Sequence, residues 1–399
     1  MQAAARSTVH DFLREEEIKA LFRPVEDAAG LPGVVYTSPE FFELERHKIF
    51  RKGWHAAGFA HEIPAPGDAI PLLAAGLPIM VVRGERGEIR AFHNVCRHRG
   101  TKILLGPVKG AKNFRCVYHS WTYGIDGRLW STPFWDSVKK GTPKAVSDSI
   151  KKEEMGLVPV RCDVLWDMIF VDLSGTAPPL RRYYDWLVKE WSVYDLDNLE
   201  PVVTEHLDSH TNWKLGLEGA YDFYHEPFVH PQLQWSHPQK ARLPNNIVEE
   251  YEVTLDKTCI GMSTDWDIGH KKNPWPDDLA LIPGPPVNRR RRYIFGLFPN
   301  VISALMKEHM INLFWTPLAC GRTRVSASMY FAKGPGGPET ERGRAAVMAF
   351  WGEVNEQDVA ATQAQQEARF SDVANDIKFC KYGEDMVHYF QQRIVEELL

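Results

Sequence analysis

Apolar positions near the start of the chain fall at helical spacing. They do so in FLREEEIKALF, and again in SPEFFELERHKIF, where Ser38-Pro39 offers an N-cap followed by a first-turn proline. From Trp54 the pattern changes. AIPLLAAGLPIMVVRG, EIRAFHNV and KNFRCVYH are short, rich in Val, Ile and Phe, and broken by Gly and Pro, which predicts many short strands. The pattern runs through LVPVRCDVLWDMIFVDLSG to residue 174, and SGTAPPL reads as a linker. A helix is expected over RRYYDWLVKEWSVY, a strand over VVTEHLDSH, and a helix over 212–226. Strands resume at NIVEEYEVTL, RRYIFGLF, VISALMKE, MINLFWTPL and TRVSASMYFA. After the break PGGP, long helical patterns cover 339–370 and 383 to the end. The expected fold is α+β: an all-β domain (53–174) inserted in an α+β domain whose antiparallel sheet is covered by helices (1–52 and 175–399).

Composition adds limits. Of 399 residues, 44% are hydrophobic and 25% charged, as in an ordinary globular protein with a sizeable core. A net charge of −5 gives no case for nucleic acid, and the four arginines at 289–292 read as a strand edge or a pairing site. No apolar run reaches the ~18 residues of a membrane span, and the first residues lack the apolar core of a signal peptide. The expected compartment is therefore the cytoplasm. The six cysteines (96, 116, 162, 259, 320 and 380) are too sparse for a disulfide framework. Only Cys96 and Cys116 have a histidine at ligand spacing; His55 and His93 do not, and read as ordinary strand histidines.

Two stretches carry chemistry. In NWKLGLEGAYDFYHEPFVH (212–230), a 3.6-residue period puts Glu218, Asp222 and His225 on one face, Pro227 limits the helix, and His230 follows. A surface helix with satisfied histidines is the plainer alternative. Upstream stands Cys96-x-His98-x17-Cys116-x2-His119. Zinc could take such ligands, but a zinc site usually pairs Cys with Cys and His with His. One Cys and one His in each loop suits a two-iron cluster with Cys on one iron and His on the other.

The flanks RAFHNVCRHRGTKI and FRCVYHSWTYGIDGRL resemble the two cluster loops of Rieske proteins, down to Arg99-Gly100 and the Trp121-Thr122-Tyr123…Asp126-Gly127 turn. With that pair in place, Asn212-Trp213-Lys214, Glu218, Asp222, His225 and His230 resemble the iron motif of the Rieske non-haem iron oxygenases. Gly219 departs from it, since Asn is common there. The resemblance implies a [2Fe-2S] cluster on Cys96, His98, Cys116 and His119. It also implies a mononuclear Fe(II) on His225, His230 and a carboxylate near the C-terminus. Asp358 is the candidate, with Glu356 and Asp372 as rivals. Asp222 would link His119 of one subunit to His225 of the next in a head-to-tail homotrimer, with or without a β subunit. Glu218, one turn back on the same face, would either extend that network or simply solvate the helix, the network being the preferred reading.

The resemblance further implies a terminal oxygenase that takes O2 and external electrons. No G-x-G-x-x-G follows a strand, and GPGG at 334–337 lacks that context, so NAD(P)H would act only through a separate reductase or ferredoxin. Arene dihydroxylation, monohydroxylation and oxidative demethylation are all open, since fold does not choose among them. The expected pocket residues are Phe228, Leu233, Trp235, Phe295, Leu297, Ile302, Leu305, Met310 and Leu313. Such a lining suits a small aromatic or apolar substrate. A quaternary ammonium compound of choline or betaine type is the second candidate. Different classes are an electron carrier or redox sensor using the cluster alone, and a zinc-stabilised binding module.

Overall fold

The computed structural model describes residues 7–135, 149–230, 232–233, 251–265, 279–284, 291–334 and 336–399. The chain divides into two compact units, Phe50–Leu180 and Met1–Ile49 with Arg181–Leu399. The boundaries fall a few residues from the expected 53 and 174.

The N-terminal helices are α1 (Glu15–Leu21), α2 (Val34–Thr37) and α3 (Pro39–Glu45). Ser38 caps α3 by accepting from Phe41 N at 3.1 Å, and Pro39 takes the first turn, where a missing amide costs nothing. The unit Phe50–Leu180 is all-β. One antiparallel sheet runs β1-β9-β8-β4-β3-β2, from β1 (Trp54–Phe59), β2 (Ala69–Ala74), β3 (Leu77–Arg83), β4 (Ile89–His93), β8 (Pro159–Leu165) and β9 (Met168–Asp172). A smaller one joins β5 (Asn113–Arg115), β6 (Thr122–Gly124) and β7 (Leu129–Ser131). The long stretch AIPLLAAGLPIMVVRG is a hairpin. Ala75 and Gly76, both at positive φ (45° and 73°), make a two-residue turn of the kind that matches strand twist.

The larger unit continues with α4 (Leu180–Tyr183) and α5 (Asp185–Glu190), two short helices where one was expected. Its sheet is antiparallel, in the order β10-β16-β15-β14-β13-β12-β11. The strands are β10 (Glu200–Ser209), β11 (Tyr251–Leu255), β12 (Cys259–Asp265), β13 (Arg291–Leu297), β14 (Val301–Leu305), β15 (His309–Ala319) and β16 (Arg322–Phe331). Arg292 is therefore on an interior strand, buried, with Nη2 3.9 Å from Glu226; residues 289–290 lie outside the described residues. The helices are α6 (Trp213–Tyr221), α7 (Glu226–Val229), α8 (Pro338–Ala368) and α9 (Asp385–Leu398). Among the described residues, no helix is long and apolar enough to cross a membrane.

Alternation along each strand divides the sheet's side chains between two faces. Ile294, Ile302, Ala304, Ile311 and Leu313 face a cavity beneath α6 and α8. Their neighbours Phe295, Leu297, Leu305 and Met310 are buried without bordering it. Phe295 packs on Trp186 of α5 and on Trp191.

α6 is held by a buried polar cluster. Lys214 Nζ lies 2.6 Å from Glu45 of α3, and Trp213 Nε1 donates to the same carboxylate at 3.0 Å. The Asn212 side chain caps α6 through Lys214 N and donates to Cys320 O. Glu218 accepts from Tyr36 and Gln391 at 2.7 and 3.2 Å, so it ties helices together instead of extending the Asp222–His225 pair. The Asn-Trp-Lys triplet is thus a docking device for the N-terminal segment.

Candidate metal centres and their cavity

The first centre is built by two loops of matching design. In residues 96–101, Cys96 N donates to Thr101 O and Gly100 N to Cys96 O. In residues 116–121, Cys116 N donates to Trp121 O and Ser120 N to Cys116 O. The fifth residue of each loop is left-handed, Gly100 at φ 72° and Ser120 at 58°. Both thiols are free and buried, and the His98 and His119 rings approach to 4.6 Å. His98 stacks on Trp121, and its buried Nδ1 has no hydrogen-bond partner among the described residues. Burial and the neighbouring His119 hold His98 below the usual histidine range. A buried, partnerless ring nitrogen beside two thiols fits a Rieske-type cluster, in which imidazole ligates through a neutral nitrogen. The Tyr123 hydroxyl, 3.3 Å from Cys96 Sγ and 3.0 Å from Arg97 N, steadies the first loop; sequence reasoning noted Tyr123 only as flank.

The second centre corrects the expectation of one helix over 212–226. α6 stops at Tyr221, and Asp222 is extended (φ −88°, ψ 112°). Asp222 Oδ1 accepts from Tyr224 N (2.7 Å) and His225 N (3.1 Å), a local turn that competes with helix. Pro227 starts the short helix α7 instead of ending α6, and His225 and His230 flank α7 at its two ends. Glu218, Asp222 and His225 thus do not share a helix face.

The third candidate comes from α8. Gly343, Val347, Phe350, Val354, Thr362 and Gln366 form its buried stripe, and Asp358 fills the gap midway between Val354 and Thr362. Its Oδ1 stands 2.9 Å from His230 Nε2 and 3.3 Å from His225 Nε2, and the two imidazole nitrogens are 3.1 Å apart. One ligand atom from each residue lies within 4.8 Å of the others, and neither Glu356 nor Asp372 belongs to the group. Burial would lower His225, but hydrogen bonds and charge from Asp222 and Asp358 outweigh it and push the ring up to about 10. His230 is raised and Asp358 lowered in the same way, each against its own burial. The cage favours positive charge. Two imidazoles and one carboxylate form the facial set that suits Fe(II) and leaves positions open. Gln357, which the sequence did not single out, accepts from His230 Nδ1 at 2.7 Å and sets that ring's tautomer.

A cavity of about 280 Å3 opens beside these three residues. Of the expected lining, Leu233, Ile302 and Leu313 border it. Phe295, Leu297, Leu305 and Met310 do not, because alternation sends them to the other face. Phe228 is 71% exposed on α7, and Trp235 lies outside the described residues. Sequence reasoning missed Trp315, Trp351 and Glu226 on the wall. Strand parity from Leu313 points to Trp315, whereas the other two have no comparable signal.

Comparison with known proteins agrees with this geometry. The family pattern "Ring hydroxylating alpha subunit (catalytic domain)" matches residues 196–399, and the "Rieske [2Fe-2S] domain" pattern matches residues 53–142. The glycine betaine monooxygenase oxygenase subunit of Pseudomonas aeruginosa (strain UCBPP-PA14) is 32% identical over 213 residues, 53% of this chain and 47% of that protein. The biphenyl 2,3-dioxygenase α subunit of Rhodococcus jostii (strain RHA1) is 33% identical over 198 residues, 48% of this chain and 41% of that one. The matches thus span about half the length of the curated relatives. The solved structure of the quaternary ammonium Rieske monooxygenase CntA superposes with a TM-score of 0.76 at 20% identity, covering 96% of this chain and 98% of that one. Naphthalene 1,2-dioxygenase from Rhodococcus sp. gives 0.73 at 20% identity, covering 96% and 98%. The two matched domains carry a Rieske [2Fe-2S] cluster and a mononuclear non-haem iron as their groups. Its catalytic half matched over residues 196–399 and its cluster loops within 53–142, the chain belongs to the family of ring-hydroxylating Rieske oxygenase α subunits.

Proposed function

We propose that this chain is the terminal oxygenase subunit of a multicomponent system, using O2 and electrons from a separate reductase or ferredoxin to hydroxylate, dihydroxylate or oxidatively demethylate a small apolar substrate. The observation that carries the reading is the convergence of His225, His230 and Asp358 on a cavity walled by Val203, Ile294, Ile302, Ile311 and Leu313. When bound, the cluster supplies electrons one at a time and the mononuclear iron activates O2 next to the substrate. The chain's own residues do the rest. Cys96, His98, Cys116 and His119 would hold the cluster. His225, His230 and Asp358 would hold the iron on one side, leaving the cavity side for reactants. Gln357 fixes His230, and Asp222 orients His225 from behind. The aliphatic walls would bury the substrate and exclude water.

The reading includes a head-to-tail homotrimer in which Asp222 links the cluster ligand His119 of one protomer to His225 of the next. Its support is the exposed position of His119, with Val117 and Tyr118 exposed beside it, and the inter-subunit electron transfer named for CntA. Its setting would be the cytoplasm, with NAD(P)H acting through the reductase.

A quaternary ammonium substrate is the second reading. It is favoured by the glycine betaine relative and by Phe223, Trp315 and Trp351 on the same cavity wall, since aromatic faces attract such cations. Turnover with a surrogate reductase, an arene panel and a trimethylammonium panel, with products read by mass, decides between them. Oxygenated arenes support the first reading and dealkylated amines the second. Two irons per chain instead of three, with no product, would leave only an electron carrier.

A further inference from the structure

Gly219 is where the iron motif departs from the family pattern, and the fold gives no packing reason for a glycine there. The contrast is with Gly216, one turn earlier in α6. A Cβ at 216 would stand 2.1 Å from Trp315 Nε1, so packing dictates that glycine. Among the described residues, a Cβ at 219 would meet only Thr362 Cγ2, at an ordinary 3.6 Å, and the backbone there is not left-handed. Glycine weakens a helix relative to alanine, so a helical glycine required by neither sterics nor conformation calls for another explanation.

Its surroundings supply one. Gly219 borders the cavity together with Asp222, Asp358 and Thr362. Thr362 stands one turn beyond Asp358 and donates to Asp358 O at 2.8 Å. The missing side chain therefore leaves room between the end of α6 and the turn of α8 that carries the carboxylate of the triad. We infer that Gly219 is a specificity-determining position, whose absent side chain is volume given to the substrate beside the metal-binding residues. The inference rests on the proposal that this cavity holds the substrate.

The test uses holoenzyme and two graded probe series, toluene, naphthalene and biphenyl, and choline, glycine betaine and carnitine, with binding read by calorimetry. Gly219→Ala should keep all its iron and raise the thermal midpoint. It should bind the smallest member of whichever series the parent protein accepts within twofold, and the largest at least tenfold more weakly. Gly219→Leu should extend that loss to the middle member. An unchanged size preference in both variants, or a midpoint lowered by alanine, overturns the inference. If the parent protein binds neither series, the substrate reading fails separately. Crystals under xenon pressure then decide about Gly219, since xenon enters cavities with a largely aliphatic wall such as Ile294, Ile302, Ile311 and Leu313 give this one. A xenon site beside Gly219 that Gly219→Leu abolishes upholds it, and one that persists, or no site there in the parent protein, overturns it.

Discussion

Asp222 Oδ2 lies 3.4 Å from His225 Nδ1, while Nε2 of the same ring lies 3.3 Å from Asp358 Oδ1. One imidazole thus sits between two carboxylates, one on the triad and one behind it. Asp222 Oδ1 is engaged by two backbone amides, which leaves Oδ2 for the ring. Asp222→Asn keeps the turn, because the amide oxygen can still accept from those amides, but it removes the charge behind His225. The expected outcome is full iron content and unchanged cluster absorption, with product formed per electron reduced at least tenfold. Normal coupling in this variant would sink the bridging role.

Gln357 holds the other imidazole from behind. Its Oε1 accepts from His230 Nδ1 and, at 2.8 Å, from Gln232. Gln357→Leu is nearly isosteric and leaves His230 free to turn. Loss of such a partner typically costs ~10–100-fold in metal affinity. Competition with a chelator should show a drop of that order in the mononuclear iron alone, with the cluster untouched.

Much of this arrangement is legible in the amino-acid sequence itself. The two cluster loops are local patterns, set by a few adjacent residues, whereas Asp358 is singled out only through the resemblance, since a lone Asp on a helix is usually solvated. The turn at Asp222 is not legible, because its competition with helix is decided by side-chain bonds to its own backbone and by Phe223 N donating to Gly383 O, 160 residues away. The pocket is half legible. Leu313 and Met310 are equally apolar on one strand; alternation puts them on opposite faces, but only the tertiary packing decides which face borders the cavity. Gln357 carries no signal in the sequence, since its role depends on where His230 points.

Lys214 and Glu45 are both fully buried, and burial pulls the lysine down and pushes the carboxyl up. Removing one partner of such a pair typically costs ~3–5 kcal/mol, because the other charge is left uncompensated. Lys214→Met should lower stability by about that amount in denaturant titrations. Adding Glu45→Gln to it should recover part of the loss. If the double variant is as unstable as the sum of the single ones, the pair is not coupled.

Acid should destabilise the larger unit through His309. This ring is buried, its Nε2 accepts from Trp351 Nε1 at 2.8 Å, and burial pulls it down from 6.5 to about 3. The unfolded chain takes up this proton as pH falls through 6.5, whereas the folded chain does not until about 3. The stability tied to neutral His309 is therefore complete above 6.5 and is lost progressively as pH falls from there toward 3. At pH 5, one and a half units below the unfolded value, the loss is about 2 kcal/mol. In His309→Gln, the amide oxygen can still accept from Trp351, but nothing titrates. Denaturant midpoints at pH 7 and pH 5 should therefore differ less in the variant than in the parent protein, by about that amount. Equal differences in the two proteins would mean that His309 takes up its proton in the fold over the same pH range as in the unfolded chain, and that burial does not hold it neutral.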